Sequence, residues 1–274
     1  MLPYVGNRPY SWRQNHQMTR EERSMSRQQL LAKGKELRAE FGLDRDGPAE
    51  PIPGYDDFVA EVAYGGIWDR PHLSRQERML CTLGVLGFLP QPQTLERMVG
   101  AALDMGLAPR TILECFMQSG LYAGYITTET AAGVAHKVFE ARGVTVPDEP
   151  ARTDTNEELD RRGIELMNQL HGERATKGYG ASDNPITAKL YTNAIRYGYG
   201  ELWFRPGLDH RQRMLIAISS FTGIPLESQL RKFSQSALNI GVTKDEVIEA
   251  VIQTGPYTGF PRALNGLAIL SEVY

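Results

Sequence analysis

Apolar positions recur at helical spacing along most of the chain, and runs in which β-branched and polar residues alternate are absent. The segments 26–41 and 156–171 both carry leucines close to the 3.6-residue period of a helix. Periodic stretches of the same kind follow in each half, separated by short polar segments. The pattern predicts an all-α fold with about five or six helices in each half.

Capping signals indicate where several of these helices begin and end. Asp209 is a candidate N-cap before an apolar run, and Thr243 with Glu246 has the spacing of a capping box. Gly241 stands where a left-handed residue would end a helix. Pro256 interrupts the next helical run, so we expect a break or kink near 254–256 and a last helix over 262–273.

The second half of the sequence repeats the first. With an offset of 135 residues, 19 of the 62 positions in 64–125 are identical to those in 199–260. The shared residues include Tyr64-Gly65 and Tyr199-Gly200, Trp68 and Trp203, Arg78-Met79-Leu80 and Arg213-Met214-Leu215, and Glu114, Gln118 and Tyr122 with Glu249, Gln253 and Tyr257. A period of more than a hundred residues indicates a duplicated domain and not a solenoid repeat.

The duplication gives the domain organisation. Residues 1–24 form a polar N-terminal arm, and repeat 1 extends over 25–143. Residues 144–154, which contain two prolines and several acids, are expected to be an exposed linker, and repeat 2 extends over 155–274.

Composition limits the classes of function. A net charge of −3 without a basic stripe gives no reason to expect nucleic-acid binding. Apolar runs stay well below the roughly 20 residues that a membrane span needs, and the N-terminus lacks the apolar region of a signal peptide, so a cytoplasmic protein is expected. Cys81 and Cys115 lie in apolar helical runs and are expected to be buried free thiols.

Each repeat resembles the carboxymuconolactone decarboxylase and AhpD-like family. The similarity lies in FRPGLDHRQRMLIAI and SALNIGVTKDEVIEAVIQTGPYTGFPRALNGL of repeat 2 and in GLAPRTILECFMQSGLYAGY of repeat 1. The resemblance implies two tandem all-helical domains with small-molecule pockets between helices. It also implies a homo-oligomer, which for a tandem chain would be a trimer or a dimer.

The residues of the family's chemistry are replaced in this chain. Thiol-relay members of the family carry CxxC, a histidine and a glutamate. The cysteine positions become Gln91 and Thr94 or Leu226 and Gln229, the histidine becomes Met98 or Phe233, and the glutamate becomes Met79 or Met214. A disulfide-exchange or peroxidase activity therefore has no nucleophile here. The usual histidine and glutamate of the decarboxylase members are also replaced.

Arg78 and Arg213 are candidates for binding a substrate carboxylate, since each lies near the start of a mostly apolar helix. The alternative is a structural ion pair with Glu114, Glu249 or another helix.

Gln118 and Tyr122 lie four residues apart, as do Gln253 and Tyr257, so each pair shares a helix face. The amide could bind a substrate oxygen and the phenol could donate a proton. The alternative is a buried hydrogen-bonded pair that supports a Gly-x-Tyr-x-Gly bend.

His72 and His210 lie in or near the loop before each arginine-bearing helix and are candidate proton carriers, or else surface or capping residues. Histidines and acids show no metal-ligand spacing, and phosphate-binding glycine loops are absent, so we expect neither a metal nor a cofactor.

These residues favour a cofactor-independent lyase or isomerase, decarboxylase-like, that acts on a carboxylated or enolisable small molecule such as a lactone or keto acid. The alternative is a non-catalytic small-molecule-binding or scaffold protein that has kept the fold. Because the two repeats differ at several polar positions, we expect only one kind of pocket to have kept a function.

Overall fold

The computed structural model describes residues 25–43, 52–148, 152–177 and 184–274, and within these ranges the chain forms helices and no strands. Each repeat contributes six α-helices. They are α1 (Arg27–Glu40), α2 (Tyr55–Val59), α3 (Arg75–Leu86), α4 (Pro92–Asp104), α5 (Pro109–Ala123) and α6 (Tyr125–Ala141) in repeat 1, and α7 (Asn156–His171), α8 (Pro185–Asn193), α9 (His210–Gly223), α10 (Glu227–Leu238), α11 (Lys244–Thr258) and α12 (Phe260–Val273) in repeat 2. The all-α prediction is confirmed.

A π-helical segment follows the second helix of each repeat, over Ala60–Trp68 in repeat 1 and Ala194–Tyr199 in repeat 2. Each segment leads to a tryptophan that is buried, Trp68 or Trp203. The tryptophan rings stack on tyrosines one turn earlier, with centroids 6.2 and 6.4 Å apart. These aromatic pairs anchor equivalent corners of the two repeats.

The first helix of each repeat crosses its π-helical segment at very short range. A Cβ atom added to Gly34 would lie 1.8 Å from the carbonyl oxygen of Ala60, and one added to Gly163 would lie 2.3 Å from that of Ile195. Only a residue without a side chain allows the two backbones to approach so closely. Both copies therefore keep glycine at this crossing for the same steric reason.

The two repeats meet through α3 and α5 of repeat 1 and α9 and α11 of repeat 2. Helix α3 contacts both α9 and α11, and α9 also contacts α5. The apolar cores interpenetrate at this contact: Ile216 belongs to the core of repeat 1, and Cys81 belongs to that of repeat 2. Both cysteines are buried free thiols, as predicted.

Most of the predicted helix ends agree with the structure. Asp209 caps α9, Thr243 and Glu246 form a capping box at α11, and Gly241 adopts a positive φ of 82°. The expectation of a break near 254–256 is wrong, because α11 continues through Pro256 to Thr258 and is capped by Gly259, whose φ is 95°. Pro256 lies two residues before the last residue of the helix, and a kink there stays a prediction.

The expected linker contains no regular secondary structure over 144–148 and 152–155, and the N-terminal arm lies outside the described residues. Among the helices of the described ranges, none is both long enough and apolar enough to cross a lipid bilayer.

Candidate active site

Arg78 and Arg213 are fully buried where the two repeats meet. The Arg78 guanidinium donates to Glu249 Oε2 at 2.8 Å and to Gln253 Oε1 at 3.0 Å. Both acceptors belong to the other repeat. Two backbone carbonyl oxygens, of Arg70 and Pro71, accept further hydrogen bonds from Arg78 Nη2 at 2.7 and 2.8 Å.

The Arg213 guanidinium repeats this arrangement in the opposite direction. It donates to Glu114 Oε2 at 3.1 Å and to Gln118 Oε1 at 3.0 Å, both in repeat 1. Each glutamate also pairs with a second arginine across the contact, Arg205 with Glu114 at 2.9 Å and Arg70 with Glu249 at 2.8 Å. Two equivalent ion-pair networks therefore join the repeats.

These contacts favour the structural interpretation of the two arginines. Burial lowers the pKa of both guanidinium groups, and the paired glutamates act in the opposite direction. Both Nη atoms of each guanidinium are bonded to these partners; the Nε atoms have no partner among the described residues, but both side chains are fully buried and so are not open to a substrate carboxylate. The glutamine oxygens are likewise occupied by Arg78 and Arg213.

The two predicted amide and phenol pairs differ. Gln118 Nε2 donates to the Tyr122 hydroxyl at 2.8 Å, so this pair forms directly. In the other copy, Gln253 Nε2 donates to Thr82 Oγ1 at 3.1 Å instead. The Tyr257 hydroxyl accepts a hydrogen bond from Trp68 Nε1 at 2.8 Å. Burial raises the pKa of both tyrosines well above the usual value.

A cavity of about 700 Å³ lies in repeat 1, and α11 and α12 of repeat 2 complete its wall. Of the predicted site residues, it contains Tyr257 alone. The lining residues are Arg38, Leu43, Tyr55, Asp56, Phe58, Val59, Val62, Ala63, Tyr64, Leu86, Leu89, Gln91, Thr94, Arg97, Met98, Gly255, Pro256, Tyr257, Gly259 and Phe260. Gln91, Thr94 and Met98, which the sequence analysis aligned with the thiol-relay residues of similar proteins, are among these lining residues.

The corresponding space in repeat 2 is filled by aromatic rings. Phe221 and Phe233 replace Leu86 and Met98, and their ring centroids lie 4.9 Å apart. The Tyr122 ring contacts both, at 4.5 Å from Phe221 and 6.5 Å from Phe233. Tyr122 is thus the counterpart of Tyr257. Tyr122 packs into an aromatic cluster, whereas Tyr257 lines a cavity.

His171 also lies in this cluster, 5.0 Å from the Phe233 ring. Its Nδ1 lies 2.7 Å from Ser236 Oγ, and its Nε2 lies 2.9 Å from the Tyr199 hydroxyl. Burial, with the positive charges of Lys232 and Arg174, lowers the pKa of His171 to about 3. The imidazole is therefore neutral at physiological pH and supports the packing of repeat 2.

The two candidate loop histidines lie outside the cavity. His72 is exposed and has a φ of 73°, a left-handed conformation that is uncommon for residues other than glycine. His210 is the first residue of α9 and packs against the rings of Trp203 and Phe204. Burial lowers the pKa of His210.

Arg38 and Arg97 also line the cavity, but neither was among the residues expected from the sequence. A signal was present for Arg38, because it follows Leu37 and precedes Phe41 on the buried side of α1, where a charged residue is unusual. Arg97 lies on α4 and gave no comparable signal, since charged residues are common on an amphipathic helix.

In the described ranges, the fold is a tandem of two homologous helical domains, with a cavity of about 700 Å³ in repeat 1. The carboxymuconolactone decarboxylase family matches the sequence twice, over residues 53–137 and 188–272, and the chain belongs to this family.

Two decarboxylases are among its relatives. It is 28% identical over 119 residues to 4-carboxymuconolactone decarboxylase of Acinetobacter baylyi, an alignment that covers 43% of this chain and 89% of the relative. It is 29% identical over 122 residues to nitrosuccinic acid decarboxylase npaB of Metarhizium robertsii, covering 43% of this chain and 85% of that protein. Each relative thus matches a length close to that of a single repeat.

Proposed function

We propose that the chain is a cofactor-independent lyase or isomerase, decarboxylase-like, and that it acts on a carboxylated or enolisable small molecule in the cavity of repeat 1. The observation that carries this proposal is the Tyr257 phenol at the cavity wall. Its oxygen accepts a hydrogen bond from Trp68 Nε1 and lies beside the Thr82 hydroxyl, and its own proton is the group that it can offer to a substrate oxygen.

The proposed chemistry is the stabilisation of an enolate. When a carboxylate leaves as CO₂, the C–C bond breaks and its electron pair passes to the neighbouring carbonyl, whose oxygen becomes negative. A fixed hydrogen-bond donor at that oxygen lowers the barrier. Because burial raises the pKa of Tyr257, the phenol keeps its proton in the resting protein and can serve as this donor. A proton must then reach the carbon, from Tyr257 or from solvent.

Membership of the family supports the reaction class. The two relatives described above are named as decarboxylases of 4-carboxymuconolactone and of nitrosuccinic acid. We propose a small organic acid as the substrate of this chain on the same grounds, without choosing between a lactone, a keto acid and another activated acid.

The alternative is a binding protein without catalysis. It is favoured by Met79 and Met98, which are buried where the family carries a glutamate and a histidine. A protein of this kind would bind the same class of acid and release it unchanged. Binding and turnover therefore have to be measured separately.

The test is a turnover screen for CO₂ release and for isomerisation, with carboxylated lactones, β-keto acids and aromatic acids. Tyr257→Phe removes the phenolic donor, and we expect kcat to fall by roughly 10²–10³-fold, as for the loss of one oxyanion donor. Tyr122→Phe is the matched control, because it makes the same change in the filled repeat, and kcat should stay within about twofold of the unmodified protein. Equal losses in both variants would contradict the assignment to repeat 1. Binding of acids without any turnover would favour the alternative.

A further inference from the structure

Thr82 is a buried threonine on α3 that has no counterpart in repeat 2. Its side chain is fully buried, and alanine, Ala217, stands at the equivalent position of α9. A hydroxyl group is costly to bury unless it forms hydrogen bonds. Thr82 Oγ1 accepts one such bond, from Gln253 Nε2 at 3.1 Å. The hydroxyl also carries a proton of its own, which needs an acceptor.

Arg78 fixes the direction of the bond between Gln253 and Thr82. A guanidinium group can only donate hydrogen bonds, and Arg78 Nη1 lies 3.0 Å from Gln253 Oε1. The Gln253 amide must therefore turn its oxygen toward Arg78 and its NH₂ group toward Thr82. Because Thr82 Oγ1 is the acceptor in this contact, its own proton points to another group.

The Tyr257 hydroxyl lies beside Thr82 and can take that proton. Burial raises the pKa of Tyr257, whereas the side chains of Trp68 and Thr82 act in the opposite direction through hydrogen bonding. Among the described residues, no other group accepts a hydrogen bond from Thr82 Oγ1. If Tyr257 instead donated to Thr82, the Thr82 proton would be buried without an acceptor, which is the costlier arrangement. The contacts therefore favour Thr82 as the donor and the Tyr257 oxygen as the acceptor.

Two donors of repeat 1 thus hold a phenol of repeat 2. Trp68 Nε1 can only donate, and it reaches the Tyr257 oxygen at 2.8 Å. With Thr82 as the second donor, both lone pairs of that oxygen are occupied, so the phenolic proton is directed to the cavity, which Tyr257 lines. The same two donors would stabilise negative charge on the oxygen once its proton has been given away.

Repeat 2 shows the arrangement without a threonine. Gln118 Nε2 donates directly to the Tyr122 hydroxyl at 2.8 Å, with no residue between them. Tyr122 packs against the rings of Phe221 and Phe233, and it does not line the cavity. The threonine hydroxyl is therefore found in the repeat that has the cavity, and alanine is found in the repeat whose corresponding space is filled.

We infer that Thr82 is a positioning residue, which donates its proton to the Tyr257 oxygen and so directs the Tyr257 proton to the cavity. Thr82 does not line the cavity itself, so it acts on a bound molecule only through Tyr257. Its effect on turnover rests on the proposed function, whereas the direction of the hydrogen bond is a property of the protein without any substrate.

The direction of the bond is tested by infrared spectroscopy of the full-length protein, with ¹³C in tyrosine at the ring carbon that bears the oxygen. Each protein is compared with its own Tyr257→Phe derivative, so the difference spectrum isolates the C–O stretch of Tyr257. Thr82→Val removes the hydroxyl with little change in shape, and Thr82→Ser keeps it. Thr222→Val is the control, because Thr222 is also a buried threonine and bonds to the backbone oxygen of Ile218.

A phenol that accepts a hydrogen bond has a weaker C–O bond, and a phenol that donates one has a stronger C–O bond. We therefore expect the frequency to rise in Thr82→Val and to stay unchanged in Thr82→Ser and Thr222→Val. A fall in Thr82→Val would mean that Tyr257 donates to Thr82, and an unchanged frequency would mean that the two are not bonded; either result would overturn the inference. If Thr82→Val does not fold, Thr82→Cys decides, since a thiol is only a weak donor.

Turnover separates this inference from the proposed function. With an acid that the turnover screen shows to be converted, the loss of one neutral hydrogen bond in Thr82→Val should lower kcat by roughly 2- to 10-fold at an unchanged KM, and Thr82→Ser should restore it. The expected frequency shift without turnover of any acid would refute the lyase and leave the orientation of Tyr257 intact. Turnover that Thr82→Val leaves unchanged would support the lyase and refute the positioning role.

Discussion

Glu114→Gln would remove one negative charge from the contact between the repeats with almost no change in shape. Glu114 is 1% exposed and accepts hydrogen bonds from Arg213, Arg205 and Arg110. The amide keeps one oxygen acceptor, but the fully buried Arg213 guanidinium loses its counter-ion. Breaking a buried pair in this way costs about 3–5 kcal/mol, because the remaining charge cannot be solvated. We expect a loss of this size in the free energy of unfolding.

The loss is large enough to measure by two independent methods. For a chain of this length, about 1 kcal/mol corresponds to roughly 2–4 °C in Tm, so Glu114→Gln should lower Tm by about 10 °C. Urea denaturation followed by circular dichroism should show a lower midpoint. Because the network joins the repeats, we expect tryptophan fluorescence and circular dichroism to show either one unfolding transition for both repeats or the unfolding of repeat 2 before that of repeat 1.

Asp104→Asn is the matched control. It also converts an acid to its amide, but it affects the Asp104–Arg142 pair, whose side chains are 48% and 41% exposed. Exposed pairs contribute about 0.2–1 kcal/mol, so Tm should change by no more than a few degrees. If Glu114→Gln cost no more than Asp104→Asn, the interpretation of Arg213 as an architectural residue would be refuted.

A double substitution makes the test stricter. Glu114→Leu with Arg213→Met removes the two almost fully buried charges of the contact and leaves the partly exposed Arg205 and Arg110. Apolar replacement of a buried pair is often neutral. We therefore expect the double variant to be less destabilised than the sum of the two single variants by at least about 1 kcal/mol. Simple additivity would mean that the two side chains do not interact in solution.

Two further perturbations test the packing. Gly34→Ala should lower the free energy of unfolding by several kcal/mol, because the added Cβ would lie 1.8 Å from a backbone oxygen. Gly133→Ala is the comparison: its added Cβ would have nothing within 4 Å, so this change should stabilise α6 by about 0.5–1 kcal/mol. The midpoints of urea denaturation of the two variants test both expectations. His171 has a lowered folded pKa, about 3, so between that value and its unfolded pKa the unfolded chain binds more protons and stability falls as the pH is lowered. Between pH 7 and pH 4.5 His171 should account for a loss of about 2–3 kcal/mol, which His171→Asn should remove; an unchanged acid limb in that variant would contradict the assignment.

Much of the fold could be predicted from the sequence because its signals are local. The N-cap Asp209, the capping box at Thr243 and the left-handed Gly241 act within one helical turn, and each is found where the sequence places it. The break expected near Pro256 is not found, because proline removes a single i→i−4 hydrogen bond and α11 continues for only two residues beyond it, to Thr258.

The site was harder to predict because its parts come from distant segments. Arg78 bonds to residues more than 170 positions away, in the other repeat, and no local pattern gives that pairing. The cavity lies between α1, α2, α4 and the junction of α11 with α12, so its lining depends on how the repeats dock. Side-chain size was the usable signal: Met98 and Leu86 in repeat 1 correspond to the larger Phe233 and Phe221 in repeat 2.

The duplication itself has to be interpreted with care. Polar residues that both repeats share invite a catalytic interpretation, but Arg78 and Arg213 with their glutamates and glutamines hold the two repeats together. These residues have to meet the same steric and electrostatic requirements in both repeats, because each repeat presents the same arginine, glutamate and glutamine to the other. A binding pocket does not have to be kept in both repeats if one pocket is enough for the function. In a duplicated protein of this kind, positions that differ between the copies, such as Met98 against Phe233, are therefore the better guide to the pocket, and shared buried charges are the better guide to the interface.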